Sequence, residues 1–181
     1  MDSNSSKGGG IMAQLQPIKI SDTAIVQTAL LDLINTFPEL PTQIQNDGIF
    51  IENLSPKKVS MCLTTEPTSN VKLKSWICGK YRGRYNFSLL FQKMTTSNAK
   101  KISASDVLGK IGAWIEKKPI ERSDGTVYQL TSYPYLDENR TIEQIVQVTF
   151  PRLIERLSPN IEVWEIIFYL DFVVKPYWVS Q

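Results

Sequence analysis

The sequence predicts an α+β domain: a mainly antiparallel, twisted sheet of about four or five strands with two helices packed on one face. Three observations carry this. Residues 26–37 and 107–115 place apolar side chains at helical spacing. Residues 80–94 and 161–174 alternate between two faces with period two. The order runs helix, strands, helix, strands, with hairpin-sized links between the strands.

The 181 residues suit one domain, and a chain of this length buries a sizeable core without disulfides or metals. Residues 1–11 carry almost nothing to bury and read as a disordered extension or an expression scar, with Met12-Ala13 resembling a second start. Residues 12–181 form the single expected domain. In the first helix, Ser21 or Asp22 is the expected cap. Val26, Ala29, Leu30, Leu33, Ile34 and Phe37 line its buried face, and Pro38 stops it. Asn46-Asp47-Gly48 signals a turn. Two strands follow, at 49–51 and 59–64, and the Leu54–Lys58 stretch between them suits a hairpin.

The strongest strand spans 80–94. Tyr81, Tyr85, Phe87, Leu89 and Phe91 share one face, while Arg82, Arg84, Asn86, Ser88 and Gln92 share the other. Gly83 interrupts the apolar row and marks a bulge or a close contact. This run is long enough to project past the sheet and pair with a neighbouring subunit. A polar loop (95–102) leads into a second helix near Ser103 or Ser105, buried through Val107, Leu108, Ile111, Trp114 and Ile115 and ended by Pro119. A tight turn covers 123–126. A strand is expected over roughly 145–156, confined by Pro151 to an edge or bulge. Ser158-Pro159-Asn160 turns the chain into the last strand, whose Trp164, Ile166, Phe168, Leu170, Phe172 and Val174 face the core. Its other face mixes Val163, Glu165, Ile167, Tyr169, Asp171 and Val173, as expected where a sheet meets another subunit.

Composition bears on chemistry mainly by what it lacks. There is no histidine, which removes His bases, His triads and His-ligated metals. Net charge is +2, too small to imply nucleic acid or membrane as a partner. Cys62 and Cys78 read as buried reduced thiols. No phosphate loop and no nucleophile elbow occur, no signal peptide is read, and no apolar run reaches the length of a membrane span. Asp137 with Glu138 reads as solvated loop charge. Glu165 and Asp171 share a strand face six residues apart, about 20 Å, too far to act jointly. The expectation is therefore no catalytic residue, no metal and no cofactor.

Four segments, LLDLINTFPEL (30–40), YRGRYNFSLLFQKM (81–94), GAWIEKK (112–118) and EVWEIIFYLDFVVK (162–175), give the chain its texture. In their order and character the chain resembles the tail terminator, or tail completion, family of long-tailed bacteriophages, some of whose members are labelled minor capsid proteins. The resemblance covers most of 21–175 and is weakest over 127–157. It implies an α+β structural protein of the virion neck, made in the host cytoplasm. It implies a hexameric ring that caps the tail tube, ends its polymerisation and forms the head–tail joining surface, with the tube protein and a head-side connector as partners, DNA passing through the lumen, and no membrane. Candidate interface residues are Arg82, Arg84, Glu165, Ile167, Tyr169, Asp171, Tyr177 and Trp178. The alternative is a small nucleic-acid-binding module using the basic Arg82/Arg84 strand face.

Overall fold

A computed structural model describes residues 22–67, 71–94, 104–122, 124–158 and 160–175. The expectations for 1–11, for Ser21, Ser103, Ser123 and Pro159, for the 95–102 loop, and for Tyr177 and Trp178 lie outside them. Within the described residues the chain forms helices α1 (Asp22–Asn35), α2 (Thr42–Asp47) and α3 (Ala104–Ile115). The strands are β1 (Phe50–Ile51), β2 (Ser60–Thr65), β3 (Val71–Ser75), β4 (Tyr81–Met94), β5 (Ile120–Glu121), β6 (Val127–Tyr128), β7 (Tyr135–Asp137), β8 (Arg140–Gln147), β9 (Arg152–Ser158) and β10 (Ile161–Val174).

The class is α+β, as the element order implies. The sheet is larger than expected and mixed: eight strands, in the path β1-β2-β4-β10-β8-β7, with β3 also on β4 and β9 also on β10. Its axis is the antiparallel pair β4–β10, matched residue for residue from Tyr81↔Val174 to Met94↔Ile161. Each of these long strands is flanked by two shorter ones lying end to end. β2 pairs with Phe87–Gln92 and β3 with Tyr81–Arg84 on one side. On the other, β8 pairs with Phe168–Val174 and β9 with Ile161–Glu165. The break between β8 and β9 falls at Pro151, which cannot donate to a ladder. Broken flanking strands and the short β1 and β7 raise the strand count above the expected four or five.

The long 81–94 strand does not project beyond the sheet. It is central, hydrogen-bonded along both edges, so its backbone groups are already used within the chain. The hairpin expected between 49–51 and 59–64 is also overturned, because β1 and β2 run parallel, Phe50 opposite Cys62. Their link starts at Glu52 (φ 64°), whose N–H bonds the Leu63 carbonyl and whose carboxylate accepts from the Thr65 N–H. Residues 42–47, at the edge of the expected turn, form the short helix α2, closed by the Gly48 N–H on the Ile44 carbonyl. A third helix and the two-stranded β5–β6 hairpin thus add to the expected architecture.

One core fills the space between the helices and the predicted apolar sheet face. Leu30 and Ile34 of α1, Ile44 of α2 and Leu108, Ile111 and Trp114 of α3 pack with Phe87, Leu89, Phe168 and Leu170. The rings of Phe87 and Phe168 stack at 5.1 Å, and Trp114 meets Phe37 edge-on at 5.5 Å. Gly83 marks a close contact: a Cβ there would stand 2.5 Å from Phe172 Cζ, so the Phe172 ring fills the space a side chain would take. Gly112 does the same where α3 meets the sheet, its missing Cβ lying 2.9 Å from Ile166 Cδ1.

Candidate functional site: the polar sheet face and its two hairpins

The sheet face away from the helices collects the charged candidates. Cross-strand register sets Arg84 directly opposite Asp171. Arg84 donates through Nε to Asp171 Oδ1 (2.7 Å) and through a terminal nitrogen to Oδ2 (3.0 Å), a two-pronged pairing whose fork matches the carboxylate. The Arg84 guanidinium also lies 3.8 Å over the Tyr169 ring. Gln144 adds a third donor to Asp171, at 2.9 Å. Arg82 reaches the same carboxylate at 3.6 Å and Glu143 at 2.5 Å. The Arg82–Glu143 contact is charge on charge, because the Nε hydrogen is not aimed at the oxygen. Glu143 sits where the β8 register slips against β10, with no cross-strand partner of its own; such a bulge re-aims a side chain, here toward Arg82.

Asp171 is 1% exposed. Burial pushes its carboxyl upward, but the Arg84 and Gln144 hydrogen bonds and the two guanidinium charges outweigh it, leaving the group below the ordinary carboxylate range. Hydrogen bonding to Asp171 in turn raises Arg84, against the opposing pull of desolvation. Glu165 stands apart from this network and pairs with Arg152 (2.6 Å) across to β9. Ile167 is half-buried, and its backbone N–H donates to Thr149 Oγ1 at 3.1 Å. Four of the candidates, Arg82, Arg84, Tyr169 and Asp171, therefore form one cluster, and Glu165 and Ile167 lie further along β10.

Much of the mixed β10 face is covered within the chain. Val163, Asp171 and Val173 are buried, and Glu165, Ile167 and Tyr169 are half-buried. The large exposed apolar surface is elsewhere, on the β8–β9 link and on β9. Phe150 is 85% exposed, and Val148, Leu153, Ile154 and Leu157 are exposed beside it. The β9 register slips twice, leaving Ile154 and Leu157 without partners, so apolar side chains emerge on both faces of this edge strand. Sequence reading placed a strand here but missed its exposure; the absence of strict alternation in RLIERL was the available signal.

A second ion-pair group anchors α1. Arg140, buried, donates to Asp22 Oδ1 (2.6 Å) and to Asp137, while the Tyr81 hydroxyl donates to Asp22 Oδ2 (2.5 Å). Burial first, then the Asp22 hydrogen bond, pushes the Tyr81 hydroxyl up to about 12. Asp137, expected to be free loop charge, is thus part of the fold. Cys62 is buried, as expected, but Cys78 is exposed at the β3–β4 turn. Among the described residues no group of three His, Cys, Asp or Glu gathers to hold a metal ion, and no helix is long and apolar enough to cross a membrane. Comparison of the sequence with protein-family models and with curated proteins returns no match.

Proposed function

We propose that this chain is a structural subunit that closes into a six-fold ring on the end of a bacteriophage tail tube, stops tube growth and offers a joining surface to the head-side connector. The reading is non-enzymatic and places the protein in the virion neck. The observation that carries it is β9: an edge strand with Leu153, Ile154 and Leu157 exposed and its outer backbone edge unpaired among the described residues. Natural sheets protect or blunt such edges, and an exposed apolar one is a template for pairing with another chain. A contact between this strand and a different patch on an identical subunit is heterologous, and heterologous contacts close into rings when the rotation permits. The number six and the tube come from the resemblance alone.

The test is to mix the protein with phage tail tubes and image the tube ends by electron microscopy. Tubes of fixed length with a six-fold cap are expected. Bare tube ends, or a cap of another symmetry, contradict the reading.

A further inference from the structure

Between Glu66 and Asp106 the chain carries eight Lys and Arg and no Asp or Glu, although the whole protein is nearly neutral. Part of this charge is spent inside the fold, since Arg82 and Arg84 face Glu143 and Asp171. The lysines of the β3–β4 hairpin are placed differently. Lys74 and Lys80 lie 4.9 and 5.1 Å from the centre of the Trp76 ring, and Lys72 lies 4.5 Å from that of Tyr81. Among the described residues none of the three forms an ion pair with a carboxylate. Register puts Lys74 beside Arg82, and the Trp76 N–H bonds the Lys80 carbonyl across the turn. Lys74, Lys80 and Trp76 therefore continue the polar sheet face outward beyond the paired arginines. A register slip at Leu73 leaves Lys72 across from Gly83, so that positive charge is offered along both sides of the ribbon.

We propose that the β3–β4 hairpin is a sequence-independent contact for the phosphate backbone of a nucleic acid, made by Lys74 and Lys80 around Trp76 and by Lys72 beside Tyr81. Un-neutralised lysines attract phosphates and release their counterions. Cations interleaved with aromatic rings are the chemistry of nucleic-acid grooves. A two-stranded ribbon is also slim enough to approach a duplex groove. A lipid surface fits less well. The Trp76 ring is half-buried with two ammonium groups against it, which leaves Ile77 at the tip and Leu73 on β3 as the large apolar side chains exposed among the described residues of the hairpin. This inference shifts the basic surface from the Arg82/Arg84 face to the lysines and does not depend on ring formation.

The experiment is fluorescence anisotropy of the full chain with a short random-sequence DNA duplex, titrated over a range of salt. Binding at low salt is expected, weakening steeply as salt rises. Changing Lys72→Gln, Lys74→Gln and Lys80→Gln together is expected to lower the slope of log K against log salt by about 2–3, because each phosphate left un-neutralised removes about 0.9. The matching Lys→Arg triple variant retains the slope, which separates charge from folding. A control with equal charge loss away from the hairpin, Lys57→Gln, Lys58→Gln and Lys118→Gln, also retains it. Absence of binding at low salt overturns the proposal, as does an unchanged slope in the hairpin variant or an equal loss in the control. Equal competition by poly-glutamate, or equal capture by phosphatidylserine vesicles, assigns the hairpin to a general polyanion or a membrane and likewise overturns it.

Discussion

The β4–β10 ribbon ends in two hairpins that share a construction and differ in chemistry. At one end the β3–β4 turn carries Lys72, Lys74 and Lys80 against aromatic rings. At the other, roughly 45 Å away along fourteen strand residues, β9 turns into β10 with exposed Leu153, Ile154 and Leu157. Both ends contribute little to the core, and both spend their side chains on solvent. The ribbon between the two turns does the reverse: one face is covered by the helices, and the other is pinned near the β3 end by Arg84 and Asp171. Burial is concentrated between the two turns, and the turns themselves are exposed.

This division can be broken by substitution. The largest loss is expected in the middle: Trp114→Ala removes a large ring that is 4% exposed and should cost about 3–5 kcal/mol in denaturant unfolding. Asp171→Ala strands Arg84 without its two-pronged partner and should cost about 1.5–3 kcal/mol, the range for hydrogen bonds to charged groups. Gly83→Ala drives a methyl into the Phe172 ring and should cost about 1–3 kcal/mol. At the apolar end, Leu153→Ser with Leu157→Ser should change stability by no more than about 0.5 kcal/mol per site while abolishing assembly on tubes. If this β9 variant unfolds as readily as Trp114→Ala, the ends are part of the core and the division fails.

Acid titration sharpens the same contrast. The Asp171 carboxyl is held below its ordinary value in the folded chain. Its contribution is therefore complete above the unfolded value, about 4, and is lost as pH falls through the lower folded value. Melting temperature followed from neutral to strongly acid pH should fall less steeply for Asp171→Asn than for the parent protein. Parallel curves would mean that the Arg84 pairing does not couple to folding.

Much of the middle was legible from periodicity. Residues 81–94 and 161–174 show a period-two apolar row because each strand has one face against helices, and α1 and α3 show their buried stripes for the same reason. The long-range pairing was not legible. Arg84 and Asp171 each stood out as charges on a mixed strand face, but only the register of β4 against β10 makes them partners. Nothing local to Phe50–Ile51 announces that this strand runs parallel to β2, since the choice rests on the Glu52 turn and its contacts with Leu63 and Thr65. The two ends of the ribbon were harder still. Alternation signals burial on one face, and β9 is exposed on both, so the strand looked ambiguous where its surface is most distinctive.

The claim that β9 is a subunit contact is tested most directly by amide hydrogen exchange, comparing free protein with protein assembled on tail tubes. The outer-edge amides within 152–158 should exchange fast in the free chain and become strongly protected on assembly, while those of β4 stay slow in both. Unchanged exchange across 152–158 in assembled protein would contradict the account, because a strand that joins subunits cannot keep its edge open to water.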